Sequence, residues 1–201
     1  MSDDGSIVVV VYWTYRDAEV YAKDNAGFGF SQILPSSFGA KDGVISTNNS
    51  IFFRLSTNVI NYYVRGINGH YKLAQTLPSS GINDVRVCAS EEFLAACGDT
   101  NYLNLYQKNN GIFSLYSTES CSSGYPKKIA FSQDCQWMAY SCTNDDVKIY
   151  QRMPPFSLVQ TLTLANLKDL AISGSNLIAL VYSTWNTKHY SYNGSQFLPQ
   201  I

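Results

Sequence analysis

Charge is scarce in this 201-residue sequence: charged residues make up 14% of it, against about 25% in an average soluble domain. Glutamate occurs only four times, and 14 basic residues nearly balance 15 acidic ones, for a net charge of −1. No basic cluster offers the electrostatic footprint that nucleic acid or an anionic lipid surface selects. We therefore expect no nucleic-acid and no membrane partner.

Long apolar segments are absent as well. The longest apolar run is Ile7 to Trp13, far shorter than the roughly 18 residues that a membrane-spanning helix needs. The first residues, Ser2-Asp3-Asp4-Gly5, lack the basic region of a secretory signal. We expect an intracellular, cytoplasmic protein.

Histidine is the rarest of the residues that carry catalysis or bind metals. His70 and His189 are the only two, and they lie far apart in the sequence, whereas a metal site needs three or four convergent ligands. The adjacent acids Asp3-Asp4, Glu91-Glu92 and Asp145-Asp146 fall in predicted turns, where acids normally face solvent. Phosphate-binding glycine loops and a nucleophile elbow are also absent. We expect no catalytic residue, no metal and no cofactor, and therefore not an enzyme.

Cysteine occurs five times, at irregular spacing and without a Cys-x-x-Cys pair. An odd number of cysteines in a chain of this size predicts reduced thiols. One alternative stays open, in which Cys88 and Cys97 face each other across a hairpin.

Apolar and aromatic residues are abundant, at 45% and 14% of the chain, and 15 of the aromatic residues are tyrosine. A repeat organises them. Apolar strands end in tyrosine at regular intervals of 40 to 44 residues, at Tyr21, Tyr63, Tyr106, Tyr150 and Tyr190. A second series keeps the same phase and places a serine at the turn after an apolar strand, at Ser2, Ser46, Ser90, Ser132 and Ser173.

A third series follows each tyrosine after a polar turn and forms another short apolar strand. Its members are Phe30–Pro35, Leu73–Pro78, Phe113–Tyr116 and Leu158–Leu162. Four short strands in each unit of about 40 residues are typical of β-propeller blades. We predict an all-β propeller of about five four-stranded blades with nineteen strands, because the first blade lacks its innermost strand. The expected blades are 1–35, 42–78, 82–118, 126–163 and 167–201.

The fourth unit carries a family resemblance. Residues 129–141 (IAFSQDCQWMAYS), closed by 146–150 (DVKIY), resemble a WD-repeat blade, whose first turn reads Phe-Ser-Pro-Asp-Gly and whose third strand reads Val-Lys-Ile-Trp-Asp. Met1-Ser2-Asp3-Asp4-Gly5 resembles the same turn. The family's Gly-His dipeptide is absent and Tyr150 replaces its tryptophan, so the His-Asp-Trp relay is not carried over. The resemblance implies a divergent WD-like propeller.

With no catalytic motif in the sequence, we look for function in the surface loops of the predicted propeller. In a propeller, the loops between second and third strands emerge on one face, and aromatic and arginine residues there are typical of binding hot spots. We predict a non-catalytic scaffold for protein partners within a larger assembly; the alternative is a glycan or small-ligand binder that uses the aromatic loops. The predicted partner-binding residues are Trp13, Tyr15, Arg16, Asp99, Tyr102, Asp145, Trp185 and Asn186.

The first blade also leaves two alternatives for the ring. Five blades could close on themselves around an incomplete blade. Otherwise the chain is part of a larger ring of about seven blades, completed by further sequence, by another chain or by a homo-oligomer. The motif at the start of the sequence favours the second alternative, with an open blade edge as an additional partner site.

Overall fold

A computed structural model of the chain describes residues 1–2, 4–12, 17–35, 40–55, 58–79, 82–98, 100–153, 156–181 and 186–200. These residues form 19 strands in five antiparallel sheets. No helix that could cross a membrane occurs in this part of the chain. The predicted all-β class is confirmed.

The five sheets follow one another along the chain. The first contains β1 (Ile7–Val10), β2 (Ala18–Asp24) and β3 (Gly27–Leu34). The second contains β4 (Ala40–Ile45), β5 (Ile51–Leu55), β6 (Val59–Arg65) and β7 (Tyr71–Pro78). The third contains β8 (Ile82–Val87), β9 (Phe93–Gly98), β10 (Tyr102–Asn109) and β11 (Ile112–Ser120). The fourth contains β12 (Pro126–Phe131), β13 (Trp137–Cys142), β14 (Asp146–Arg152) and β15 (Phe156–Thr163). The fifth contains β16 (Leu167–Ser173), β17 (Asn176–Val181), β18 (Asn186–Tyr192) and β19 (Phe197–Pro199).

Strands within each sheet pair in sequence order, so every sheet is an antiparallel meander. The first sheet has three strands, as the sequence predicts, and the others have four. The first strands of neighbouring four-stranded sheets contact one another, β4 with β8, β8 with β12 and β12 with β16. The sheets therefore converge on their first strands and diverge towards their last ones.

Apolar side chains fill the space between consecutive sheets. Ile7 and Val20 of the first sheet share a buried cluster with Phe53 and Tyr63 of the second. Three further clusters join the second sheet to the third, the third to the fourth and the fourth to the fifth. Each inner sheet thus buries both faces, which a lone four-stranded sheet cannot do.

A serine hydroxyl closes the turn between the first two strands of the fourth sheet and the equivalent turn before β1 in the first sheet. In the fourth sheet, Ser132 Oγ accepts the backbone N–H of Trp137 at 2.9 Å and donates to the carboxylate of Asp134. Ser2 makes the same bonds with Ile7 and Asp4. In the third sheet the equivalent residue is Cys88, whose N–H donates to Phe93 O. The predicted position of this turn at Ser90 is therefore two residues too late.

A repeated glutamine links neighbouring sheets at their outer strands. Gln75 on β7 donates through Nε2 to the carbonyl of Phe113 at 2.7 Å, and its Oε1 accepts the Phe113 N–H at 2.9 Å. Gln32 forms the same pair of bonds with Tyr71. Gln160 forms them with Phe197. Three of the four inter-sheet boundaries thus carry this glutamine latch, which satisfies two main-chain groups at once.

Tyrosine hydroxyls add a second link in the same direction. Tyr63 OH donates to the carbonyl of Pro35 at 2.9 Å, and Tyr106 OH donates to that of Pro78 at 2.6 Å. Each tyrosine belongs to the third strand of its sheet and reaches back to the end of the preceding sheet. The repeated tyrosines of the sequence are therefore inter-sheet contacts as well as core residues.

The boundary between the third and fourth sheets is built differently. Ser117 takes the place of the latch glutamine, because it pairs with Leu105 as Gln160 pairs with Ile149. A disulfide between Cys121 and Cys142 links these sheets instead. The expectation that all thiols are reduced is therefore wrong at this pair.

The hypothetical Cys88–Cys97 pairing is also wrong. Both cysteines are free, and Cys97 lies opposite Asp84 in the β8–β9 register, whereas Cys88 lies beyond the other end of that pairing. Four residues of extended chain separate Cys97 from Phe93, the hydrogen-bond partner of Cys88, which is about 13 Å at 3.3 Å per residue.

Replacing Gln75 with alanine tests the latch. The variant leaves the N–H and C=O of the buried Phe113 unpaired, so we expect the free energy of unfolding to fall by about 1–3 kcal/mol. Urea denaturation measures this change. Ser117→Ala is the matched control at the equivalent position and should cost less than about 0.5 kcal/mol. Equal effects of the two substitutions would contradict the latch.

Candidate functional site: the outward face of the first sheet

The side of the first sheet that points away from the second sheet is largely apolar. Strand register places Val8 opposite Tyr21 and Tyr21 opposite Phe30, so these side chains share one face. Tyr21 and Phe30 pack edge to face with ring centroids 6.0 Å apart. Phe28, opposite Lys23, and Val10, opposite Glu19, extend the same face. We call these residues, Val8, Val10, Tyr21, Phe28 and Phe30, the outward face.

The positions of Phe28, Tyr21 and Val8 are covered in the other sheets, whereas the counterparts of Phe30 are exposed there as well: Leu73, Leu115 and Leu158. Phe28 is the second residue of β3 and is 47% exposed. Its counterparts pack against the preceding sheet and are exposed by 9% or less: Tyr71, Phe113, Phe156 and Phe197. The aromatic ring that every later sheet buries is therefore uncovered in the first sheet.

The two inner strands of the first sheet also expose residues that the other sheets bury. Tyr63, Tyr106, Tyr150 and Tyr190 are buried, whereas their counterpart Tyr21 is only half-buried. Val8 is also half-buried, whereas the aliphatic residues in its position are buried completely: Ile51, Leu94, Met138 and Leu177. Three strands of the first sheet thus present core-type side chains to solvent.

The polar groups of the outward face gather around one carboxylate. Glu19 Oε2 accepts hydrogen bonds from Tyr12 OH at 2.9 Å and from Tyr21 OH at 2.7 Å. The hydrogen bond to Glu19 raises the pKa of Tyr21 above its ordinary value. Tyr21 OH therefore donates a hydrogen bond within its own sheet, whereas the hydroxyls of Tyr63 and Tyr106 donate to the preceding sheet.

The outward face of the fifth sheet mixes polar and apolar side chains. His189 on β18 immediately precedes Tyr190, the position that holds Val20, Tyr62, Leu105 and Ile149 in the other sheets, and it is exposed. A shallow groove of about 270 Å³ on this sheet is lined by Asp169, Ala171, Ile178 and Thr187 among others. Polar side chains at His189, Thr187 and Asp169 thus alternate with apolar ones at Ala171 and Ile178 on this face.

Five of the eight predicted partner-binding residues lie outside the part of the chain that the structure describes. These five are Trp13, Tyr15, Arg16, Asp99 and Trp185, and their role stays a prediction. Tyr102 is exposed at the start of β10, and its role as a contact residue stays a prediction. Asn186 is the first residue of β18, paired with Val181.

Asp145 has a structural contact that the sequence did not indicate. Its Oδ1 accepts the N–H of Asn166 at 3.0 Å, and its carbonyl accepts that of Leu164 at 2.7 Å. The residue therefore fastens the connection between the fourth and fifth sheets.

A cavity of about 360 Å³ lies where the first strands of four sheets end. Ile45, Val87, Phe131 and Ile172 contribute apolar walls, and Ser46, Thr47, Ser132 and Gln133 contribute hydroxyl and amide groups. None of its described lining residues is acidic, basic or histidine. Among the described residues, no cluster of histidine, cysteine or acidic side chains could hold a metal ion.

A buried ion pair, which the sequence did not predict, lies between the second and third sheets. Lys108 Nζ is 2.7 Å from Glu91 Oε2 and donates to Tyr62 OH at 2.6 Å. Ser46 also donates to Glu91. Glu91 is 3% exposed, so the expectation that the acid pairs face solvent is wrong here. Glu91 has a positive φ of 57°, and its side chain points inward from the turn. The sequence alone placed it at a turn position that normally faces solvent.

Charge on Glu91 is retained despite burial. Burial opposes its ionisation, but hydrogen bonds from Lys108, Ser46 and Ser50 outweigh that effect and lower its pKa. Burial likewise opposes the charge of Lys108, and its bonds to Glu91 and Tyr62 outweigh it and raise the pKa. The pair is therefore held charged across the neutral range.

The glutamine latches are the other feature that sequence reasoning missed. The signal was available, because glutamine recurs at the same place in three of the repeated strands, at Gln32, Gln75 and Gln160. Periodicity alone did not reveal that these amides cross to the next sheet.

No protein-family model and no curated protein sequence matches this chain. Solved structures do resemble it. A chain of the mitotic checkpoint complex superposes with a TM-score of 0.80 at 16% identity, over 100% of this chain and 62% of that one. A protein from Lactobacillus plantarum gives a TM-score of 0.78 at 10% identity, over 98% of this chain and 67% of that one.

A third similar structure is a Bacteroides fragilis protein assigned provisionally as a 6-phosphogluconolactonase. It has a TM-score of 0.77 and 14% identity, and the match covers 98% of this chain and 68% of that one. This chain thus spans 62% to 68% of the length of these three structures. At such identities the likeness is one of fold, and the fold is a β-propeller.

Removing the cation of the buried pair should be costly. Lys108→Met leaves the Glu91 carboxylate buried and unpaired, for an expected loss of about 3–5 kcal/mol in unfolding free energy. Arg152→Met is the matched control at the equivalent strand position, where the pair with Glu92 is about one-third exposed, and should cost about 1 kcal/mol or less. Urea denaturation at pH 7 compares them, and similar losses would contradict the role of burial.

Acid should weaken the same pair. Because the pKa of Glu91 is lowered in the folded state, its contribution is complete above its ordinary value of 4.5 and is lost as pH falls below it. We expect Glu91→Gln to flatten the fall in unfolding free energy below pH 4.5 relative to the unmodified protein. Unchanged pH profiles would contradict a charged Glu91.

Proposed function

We propose that this protein is a non-catalytic propeller scaffold that binds another protein on the outward face of its first sheet. The observation that carries the proposal is the exposure of Phe28, Tyr21 and Val8 at positions that four other sheets bury. Exposed apolar patches of this kind mark interaction surfaces.

The partner we propose is an antiparallel sheet of the propeller type. Every covered counterpart of the outward face meets such a sheet, and two contacts recur there. A glutamine amide bonds to the main chain of the residue equivalent to Phe28, as Gln75 does at Phe113. A carbonyl after a leucine accepts the tyrosine hydroxyl, as Pro78 does from Tyr106. A partner strand with glutamine followed three residues later by such a carbonyl fits the outward face.

A divergent WD-type repeat is part of the same proposal. It is supported by the serine-centred turn at Ser132 and Asp134, repeated at Ser2 and Asp4, and by the fold that the mitotic checkpoint chain shares. The low charge and the lack of a basic patch in the sequence support a scaffold without nucleic-acid or lipid ligands. A cytoplasmic location is part of the proposal.

A peptide tests the proposed surface. A fluorescein-labelled peptide of residues 71–79 (YKLAQTLPS) carries the latch glutamine and the proline carbonyl. We expect saturable binding to the full chain by fluorescence anisotropy. Phe28→Asp should weaken it at least tenfold, about 1.4 kcal/mol, because a carboxylate replaces the exposed ring. Absence of saturable binding would contradict the proposed surface.

Two controls make the result specific. Leu115→Asp changes a side chain that is 58% exposed on the outer strand of the third sheet, and it should leave binding unchanged. A peptide with alanine in place of the glutamine should bind more weakly to the unmodified protein. Loss of binding in Leu115→Asp would show non-specific attraction, which argues against the proposal.

A small-ligand function is the second candidate, favoured by the cavity of about 360 Å³ at the strand ends. Its size lies within the range of ligand pockets, and its hydroxyl and amide groups suit a neutral polar molecule such as a sugar. Thermal-shift measurements with mono- and disaccharides test it. A stabilisation that Gln133→Ala removes would favour this candidate, and no shift with any sugar would argue against it.

A further inference from the structure

All five cysteines of the chain lie in one place. They belong to the buried cluster between the third and fourth sheets, although the sequence spreads them over 55 positions: Cys88, Cys97, Cys121, Cys135 and Cys142. This is the boundary that lacks the glutamine latch, and the Cys121–Cys142 disulfide already crosses it. At this boundary, cysteine side chains therefore make the inter-sheet link that a glutamine amide makes at the other boundaries.

Two of the free thiols lie on opposite sides of the same boundary. Cys88 follows β8 in the third sheet, and Cys135 lies in the turn before β13 in the fourth. Ser90 Oγ is 3.3 Å from Cys88 Sγ and 3.2 Å from Cys135 Sγ. The two sulfurs thus share one hydroxyl as their neighbour.

The backbone holds Cys135 in this position. Its φ is 56°, in the left-handed region, and the equivalent residue of the first sheet is Gly5 with φ 67°. A side chain at this conformation costs about 1 kcal/mol or more. The same turn position directs Glu91 towards Ser46 of the preceding sheet, and here it directs the Cys135 thiol towards the third sheet.

Hydrogen-bond donors favour the thiolate of Cys135. The Ser90 N–H donates to its sulfur at 3.4 Å, and hydrogen bonding with Cys88 and Ser90 lowers the pKa of Cys135 against the effect of burial. The bond with Cys135, together with burial, raises the pKa of Cys88. Ser90, which contacts both sulfurs, is exposed, whereas Cys88 and Cys135 are buried.

We propose that Cys88 and Cys135 form a redox-sensitive thiol pair, which a peroxide oxidises to a second disulfide between the third and fourth sheets. The Cys135 thiolate attacks one peroxide oxygen, the O–O bond breaks, and the products are a sulfenic acid and hydroxide. The Cys88 thiol then attacks that sulfur, forming the S–S bond and releasing the oxygen as water. Overall, two thiols lose two electrons and two protons, and one hydrogen peroxide becomes two waters.

The new disulfide would act at the opposite end of the boundary from the existing one. Cys142 is the last residue of β13, and Cys135 precedes its first, so the two links lie about 20 Å apart along a six-residue strand. Oxidation would then fix the third and fourth sheets to each other at both ends, whereas reduction leaves them joined at one end.

Thiol counting tests the pair in the full chain with the Cys121–Cys142 disulfide intact. After unfolding in denaturant, N-ethylmaleimide should add three times to untreated protein and once to protein first treated with hydrogen peroxide, the single adduct being on Cys97. Peptide mapping should then recover a Cys88–Cys135 cross-link. Three adducts after peroxide, a cross-link that contains Cys97, or sulfinic acid without a cross-link would each overturn the proposal.

Single substitutions separate the roles of the two thiols. In Cys88→Ser, the resolving thiol is gone, so peroxide should leave a sulfenic acid on Cys135 that dimedone labels. In Cys97→Ser, the matched control in the same cluster, the cross-link should form as in the unmodified protein. Dimedone labelling of Cys97 in place of Cys135, or loss of the cross-link in Cys97→Ser with its sheet circular dichroism intact, would count against the assignment.

Discussion

Burial of sheet faces against neighbouring sheets is the constraint on which this protein depends. A four-stranded sheet with apolar residues on both sides is not stable alone, because both faces would be exposed to water. Each later sheet packs against the preceding one through three residues in fixed register: an aromatic residue, a tyrosine and an aliphatic residue. The glutamine latch adds directional hydrogen bonds to this apolar packing, since the side-chain amide of one outer strand bonds to the backbone N–H and C=O of the next outer strand. Repetition of one contact set explains why the repeat is visible in the sequence.

The boundary between the third and fourth sheets shows how the same geometry accepts different chemistry. Ser117 cannot reach across as glutamine does, and the boundary carries a disulfide, a carboxylate of Asp84 that accepts the Ile129 N–H, and the Arg152–Glu92 ion pair. Burial raises the pKa of Asp84, while Arg86 and the Ile129 N–H favour its charged form. A disulfide, an ion pair and a carboxylate thus replace the glutamine side chain that links the other neighbouring sheets.

The candidate binding surface follows from the same constraint applied to the first sheet. Its outward face has the residue types of a covered face, and Phe28 is exposed where Phe113 and Phe197 are buried. The contacts of its counterparts in the other sheets therefore define this surface, and they supply the chemistry of the partner proposed for it. Sequence reasoning placed binding on the connecting loops, because aromatic residues concentrate there, and could not distinguish an exposed Phe28 from a buried Tyr71 at the same repeat position.

The sequence by itself determined the strand content, the four-strand unit and the three strands of the first sheet, because short apolar runs, their repeat spacing and turn chemistry can be read directly along the chain. It did not determine the Cys121–Cys142 disulfide, the inward turn of Glu91 or the inter-sheet role of Gln75. Those depend on which residues of different repeats meet, at separations of 21 to 45 residues. Only the tertiary structure brings these side chains together, since the radial packing of the sheets sets their distances.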